Sequence, residues 1–163
     1  MKLEIDKKVL ARIKHGEKAE KRFESFCKIK NIWYQRFGLS TREGYWMGIK
    51  LSLKVPKTIR GAPDYWAVKD KFHFVECKMA DEPTGTHVKV KEHDMLNYNT
   101  WANVGSLQFF IHNLKPFESY LVKYNSMVEL INNCEYEKGM YPDNGKHFYK
   151  VKMDDIRRVG RAI

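Results

Sequence analysis

An α/β sandwich built on a mixed β-sheet is the fold class this sequence predicts, and three observations predict it. Stretches with helical and strand periodicity follow one another in the order helix, strands, helix, strands. At 163 residues the chain is long enough for one sheet-based core without disulfide or metal staples. A hydrophobic content of 43% and an aromatic content of 13% supply the material for that core. One domain over 1–163 is expected, with its core at about 7–124, a basic insertion at 39–61 and a C-terminal extension from about 125 to 163.

The first helix is expected over 7–29, where Val9, Ile13, Ala19, Phe23, Phe26 and Cys27 recur at helical spacing. Asp6 is its candidate N-cap and Gly16 its candidate kink. Asn31 to Phe37 is rich in strand formers and stops at Gly38. Residues 39–61 carry three glycines, one proline, five basic residues and one acid, a long basic loop or protruding hairpin. A hairpin follows, Asp64 to Val68 and Phe72 to Met79, and a loop containing Gly85 leads to a second helix at about 90–104. Ser106 to His112 reads as a buried strand and Glu118 to Tyr124 as another. Beyond Asn125 the pattern gives a short helix, a loop around Pro142-Asp143-Asn144-Gly145, a strand at His147 to Val151 and a basic tail with Arg157, Arg158 and Arg161.

Composition narrows the function classes. No apolar run approaches the roughly 18 to 20 residues that span a membrane. Charges occupy the first eight residues where a signal peptide would be apolar, so a cytoplasmic location is expected. Cys27, Cys77 and Cys134 are widely spaced and odd in number, which gives no disulfide framework and no zinc pattern. Thirty Lys and Arg against twenty Asp and Glu leave a formal charge of +10, a field that attracts polyanions. Nucleic acid is therefore the leading partner, against the plainer reading of a basic, solvated surface.

The chemistry concentrates on the hairpin. If Lys69-Asp70-Lys71 is a three-residue turn, Val68 faces Phe72 and Asp64 lies across from Glu76 on the same face of the sheet. A two-residue turn would separate them. Side chains alternate with period two, so Lys78 shares the face of Glu76 and neighbours Asp64 diagonally. Two carboxylates so close repel unless a cation sits between them, and oxygen-only ligation suits Mg²⁺, with Mn²⁺ as a substitute. Cys77 directs its side chain to the opposite face while its backbone carbonyl stays near the carboxylates, a candidate further ligand. The plainer alternative is a strand ending in a solvated Glu and Lys pair; Phe74 and Val75 beside them argue for burial, where unpaired charge is costly.

On the first helix, Glu20 falls within the apolar stripe centred near Gly16, Phe23 and Cys27, whereas Glu17 and Glu24 point further round. An inward carboxylate suggests a third acid at the site; the alternative is a boundary glutamate paired with a lysine. The second helix carries Met95, Tyr98, Trp101 and Ala102 on its apolar face, with Lys91 one turn earlier, either reaching a phosphate or sitting on a solvated edge.

Taken in order, Gly16-Glu17-Lys18-Ala19-Glu20, Pro63-Asp64 and Glu76-Cys77-Lys78 resemble the helix glutamate, PD and E-x-K elements of the PD-(D/E)XK nuclease superfamily. Within that group the chain is most similar to archaeal-type Holliday junction resolvases, in which a short basic strand, a helix and a buried strand follow the E-x-K strand, as Val88-Lys89-Val90-Lys91-Glu92, the helix to Val104-Gly105, and Leu107 to Ile111 do here. The resemblance covers about residues 15–112. It implies a restriction-endonuclease-like sandwich and a Mg²⁺-dependent endodeoxyribonuclease, with Asp64 and Glu76 on the metal, Glu20 assisting directly or through water, and Lys78 activating the attacking water. It also implies DNA contacts from Arg36, a dimer that presents two active sites, and a branched or four-way-junction substrate. The basic insertion adds Arg42, Lys50, Lys54, Lys57 and Arg60 as candidate phosphate contacts. A restriction- or repair-type nuclease, or a binding module without catalysis, are the competing readings.

Overall fold

The computed structural model describes residues 7–37, 45–46, 49–50, 61–81, 83–133, 137–141 and 145–163. The first helix, α1 (Lys7–Ile29), forms over the expected span and passes through Gly16 without a break. Gly16 is exposed, and a Cβ added there would meet nothing within 4 Å, so it neither kinks the helix nor belongs to the buried stripe. Ala19, Phe23, Phe26 and Cys27 form that stripe. The helix stops at Asn31, which takes a left-handed φ of 51°. There the Asn31 N–H bonds the Lys28 carbonyl and the Ile32 N–H bonds the Cys27 carbonyl, the two reverse bonds of a Schellman cap. Asparagine tolerates this conformation better than most residues with a Cβ.

The cap feeds β1 (Trp33–Arg36), an edge strand of a six-stranded sheet ordered β1, β4 (Tyr65–Val68), β5 (Phe72–Met79), β7 (Ser106–Leu114), β8 (Phe117–Lys123) and β11 (Arg161–Ala162). β5 and β7 are parallel and the other neighbours antiparallel, so the sheet is mixed, as the sequence predicts. The crossover between the parallel pair runs through β6 (His87–Lys91) and α2 (Glu92–Val104). Within the insertion, β2 (Tyr45–Trp46) pairs with β3 (Ile49–Lys50) as a small hairpin.

The C-terminal third is built into the core. After α3 (Tyr124–Asn133), β10 (His147–Lys152) pairs between β6 and β9 (Glu137–Met140) in a second sheet. Residues 153–163 do not form the expected basic tail. They make α4 (Met153–Val159) and β11, because Met153 and Ile156 bury fully and Arg157 reaches Glu118 on β8. Lys91 is another correction: it ends β6 and precedes α2, so it lies on no helix face.

Side-chain alternation sorts the interior into two clusters, one on each face of the main sheet. Phe74, Leu107, Phe109, Ile111 and Val122 pack with Tyr98, Met127 and Ile156 on the side of α2, α3 and α4. Tyr65, Ala67, Val75, Cys77 and Phe110 pack with Ala19, Phe23, Phe26 and Cys27 on the α1 side. Met95, Trp101 and Ala102 join the first cluster, as the apolar face predicted for the second helix requires.

Candidate active site

The hairpin has the parity that the site needs. Its pairs are Val68 with Phe72, Ala67 with His73, Trp66 with Phe74 and Tyr65 with Val75, so Lys69, Asp70 and Lys71 form the odd-length turn. One further step of this register sets Asp64 across from Glu76. β4 ends there while β5 runs on, and the Cys77 N–H on the vacated edge would lose its ladder partner. Asp64 supplies the missing acceptor: its Oδ2 takes a hydrogen bond from the Cys77 N–H at 2.8 Å. Its backbone carbonyl is held in turn by the Phe37 N–H, also at 2.8 Å.

Glu76 is only 7% exposed, and its Oε1 accepts from Lys78 Nζ at 2.6 Å and from the Tyr98 hydroxyl at 2.6 Å. The Lys78 ammonium also lies 5.5 Å from the centre of the Tyr98 ring. Tyr98 is the participant that sequence reasoning missed. It sits on the apolar face of the second helix, as the spacing predicts, but a buried tyrosine must also find a partner for its hydroxyl. That rule was the available signal.

Burial pushes the Asp64 carboxyl well above the usual carboxylate range, and the neighbouring Glu76 charge adds to the rise; Lys78 and the Cys77 N–H act against it. For Lys78, burial disfavours the charged form, but Glu76 first, then Tyr98 and Asp64, outweigh it and raise its pKa well above the ordinary lysine value. The ammonium stays charged. Tyr98 is likewise held protonated by burial and by Glu76, so it remains a donor. The Asp64 shift marks a carboxyl whose desolvation, with the Glu76 charge beside it, outweighs the help of Lys78 and the Cys77 N–H.

Glu20 approaches from the α1 side of the sheet. Its Oε2 is bound to Arg36 Nη2 at 2.7 Å, and the Arg36 guanidinium lies 5.7 Å from the Tyr65 ring centre. Its charge is felt at Asp64 and raises that carboxyl further, by less than burial or Glu76 does. Thus α1 brings Glu20 to the end of the sheet that holds Asp64, with Arg36 as its hydrogen-bonded partner. Glu24, expected to point further round, instead accepts a 2.6 Å bond from the Tyr65 hydroxyl. The buried phenol beneath α1 draws it in.

The Cys77 side chain is buried on the α1 face, as period two predicts, and burial pushes its thiol well up. A strand residue directs its N–H and C=O to the same side, so the Cys77 carbonyl shares the edge on which Asp64 sits. Among the described residues no group of three or more His, Cys, Asp and Glu side chains is arranged to hold a metal. Two carboxylates and a carbonyl nonetheless match a hard cation that takes one or two carboxylates and fills its remaining positions with water and phosphate oxygens.

Of the candidate phosphate contacts, Arg42, Lys54, Lys57 and Arg60 lie outside the described residues, as does the side chain of Lys50. So do Asp6, Gly38 and Cys134. Lys91 is exposed at its strand end.

No protein-family profile matches the chain, and no curated protein matches it. Among solved structures it is similar to one described as D212, a nuclease from a fusselovirus, with a TM-score of 0.49 and 10% identity over 94% of this chain and 88% of that one. At that distance the likeness assigns neither a family nor residue roles.

Proposed function

We propose that this chain is a metal-dependent endonuclease hydrolysing phosphodiester bonds in DNA. The observation that carries this reading is the meeting of Asp64, Glu76 and Lys78 at one end of the sheet, where a half-buried carboxylate keeps an elevated pKa beside a second, buried carboxylate and a charged lysine. A surface ion pair has no need of that enclosure.

Asp64, Glu76 and the Cys77 carbonyl would hold Mg²⁺, with Mn²⁺ as a substitute, and Glu20 would join directly or through water. The bound cation supplies polarisation of the phosphate and a lower pKa for attached water. Lys78, fixed in its charged form by Glu76, orients the attacking water and offsets the charge that builds on the phosphoryl oxygens. Tyr98 holds the Glu76 carboxylate so that its second oxygen keeps one direction. Arg36 does the same for Glu20 from the other face. Arg42, Lys50, Lys54, Lys57, Arg60 and Lys91 would follow the phosphate backbone, consistent with the +10 charge.

The finer reading, carried by the motif resemblance, is a structure-specific enzyme that resolves four-way junctions as a homodimer, because paired cuts need two active sites. A binding module without catalysis is the second reading, and the commitment of Glu76 Oε1 to both Lys78 and Tyr98 is the observation that favours it. Incubating the protein with supercoiled, linear and four-way-junction DNA, in Mg²⁺ or in EDTA, separates the readings. Paired nicks near the junction support the resolvase; cleavage of linear duplex alone points to a restriction or repair role. Salt-sensitive binding with no metal-dependent cleavage of any substrate would leave only the binding module.

A further inference from the structure

A second feature lies at the other end of the main sheet, on its α1 face. A cleft of about 720 Å³ opens there between the C-terminal end of α1, the Lys69–Lys71 turn and β11. Lys71 precedes Glu76 by five positions, so the turn stands roughly 17 Å along β5 from the candidate active site at about 3.4 Å per residue. Phe23, Phe26, Val75 and Leu121 make an apolar floor. Lys30, Lys69, Lys71, Lys123 and Arg161 line it as well, and Asp70 is the one acidic side chain among the lining residues. His73 and Gln108 give it a small polar corner, with the His73 ring bonded to Gln108 Nε2 at 3.1 Å and to Ser106 Oγ at 2.9 Å. Burial, Lys71 and Arg161 together lower the His73 pKa, so cations from two separate elements converge on that corner.

Five cations against one acidic side chain call for a polyanion. An apolar floor calls for more than phosphate, since a hydrated anion gains nothing from phenyl rings. A nucleotide strand with unpaired bases has both parts, flat apolar rings and regularly spaced phosphates, and the cleft falls within the usual size of a small-molecule site. We propose that this cleft binds a single-stranded nucleic-acid segment, seating a base over Ile32, Leu121 and the rim of Phe26 with the flanking phosphates on Lys69, Lys71, Lys123 and Arg161.

The choice of a nucleic acid over another polyanion rests on the nuclease reading, but the site itself is independent of the catalytic carboxylates. Binding is therefore measured in EDTA, by fluorescence anisotropy of a labelled twelve-nucleotide oligothymidylate over a series of salt concentrations. The variants are Lys69→Ala with Lys71→Ala, and separately Lys123→Ala with Arg161→Ala, all exposed positions, with melting curves recorded for each. Each pair is expected to weaken binding about tenfold or more and to lower the log–log salt slope by roughly 1.4, about 0.7 for each lost contact to a single strand. An abasic strand of the same length is expected to bind at least tenfold more weakly than oligothymidylate. Wild-type affinity in both variants overturns the proposal, as does equal affinity for the abasic strand, which would reduce the cleft to a plain phosphate attractor. Displacement of the oligonucleotide by oligoglutamate of equal charge as effectively as by unlabelled oligothymidylate assigns the cleft to an acidic peptide and overturns it too. Loss of Mg²⁺-dependent cleavage with variant-sensitive binding retained would count against the nuclease reading alone; cleavage with unaltered binding would count against this one alone.

Discussion

Asp64 is held where its charge is least comfortable, and that makes it the sharpest test of the site. Its folded pKa is raised above the ordinary 3.8, so its contribution to stability is fully present below that value and is lost as pH rises through the elevated one. Asp64→Asn removes the charge and keeps an acceptor for the Cys77 N–H. In EDTA the variant should match the wild type in mild acid and melt higher as pH increases; equal melting temperatures at every pH would show that the carboxyl is not perturbed. Mg²⁺ should raise the wild-type melting temperature and leave the variant unmoved, while cleavage falls on the order of a hundredfold or more. Tyr98→Phe deletes one donor to a buried carboxylate. We expect a loss of about 1.5–3 kcal/mol by denaturant titration, the usual range for a hydrogen bond to a charged group. A change below about 0.5 kcal/mol, less than an ordinary neutral hydrogen bond contributes, would mean that Lys78 alone orients Glu76.

At the scale of elements, α1 serves two ends: its buried stripe fixes the helix on the sheet, and that seating carries Glu20 toward Asp64. Phe23 is in contact with the rings of Tyr34, Tyr65 and Phe110, at centroid distances of 6.3, 5.1 and 5.2 Å. Phe23→Ala should therefore cost about 3–5 kcal/mol, read from chemical unfolding. Gly16 offers the opposite case, an exposed glycine inside a continuous helix with open space where a Cβ would go. Gly16→Ala should stabilise the protein by about 0.5–1 kcal/mol without affecting cleavage, and a destabilised variant would show that the helix is not regular there. The β4–β5 hairpin was legible in the sequence, but its parity stayed conditional on the length of the turn, and the pairing of Val68 with Phe72 meets the three-residue case. Lys91, by contrast, was misassigned. Val88-Lys89-Val90 has strand alternation, but only the pairing of β6 with β10, some sixty residues later in the chain, separates it from the start of α2.

Across the whole molecule, the C-terminal segment is tied to the sheet by charge as well as packing. Arg157 on α4 donates to Glu118 on β8 at 2.6 Å, and that bond, more than any other contribution, holds the Glu118 carboxyl below its ordinary 4.5. A depressed folded pKa gives stability that is present above the ordinary value and lost as pH falls through the lowered one. The wild type should thus melt above Arg157→Met at neutral pH, with the gap closing below about pH 4.5. A gap that persists unchanged into acid would assign Arg157 a packing role instead. The basic field acts on the same scale. Neutralising Lys54 and Lys57 together should weaken binding to duplex DNA and reduce the salt slope by roughly 1.8, about 0.9 per phosphate contact; an unchanged slope would remove the insertion from the interface.

The sequence by itself determined the fold class and the span of α1 and put forward Glu20, Asp64, Glu76 and Lys78 as candidates, because each follows from local periodicity or from spacing within one supersecondary unit; the hairpin parity waited on the length of the turn. The C-terminal helix and edge strand escaped it, since Arg157 and Arg161 read as solvated charge until Glu118 and the edge of β8 provide partners distant in the chain. Only the tertiary structure decided that Tyr98 holds Glu76, that Arg36 holds Glu20 and that Asp64 caps the free edge of β5. Those are contacts between elements that packing brings together, and a period of two or of 3.6 carries no information about which buried hydroxyl meets which carboxylate.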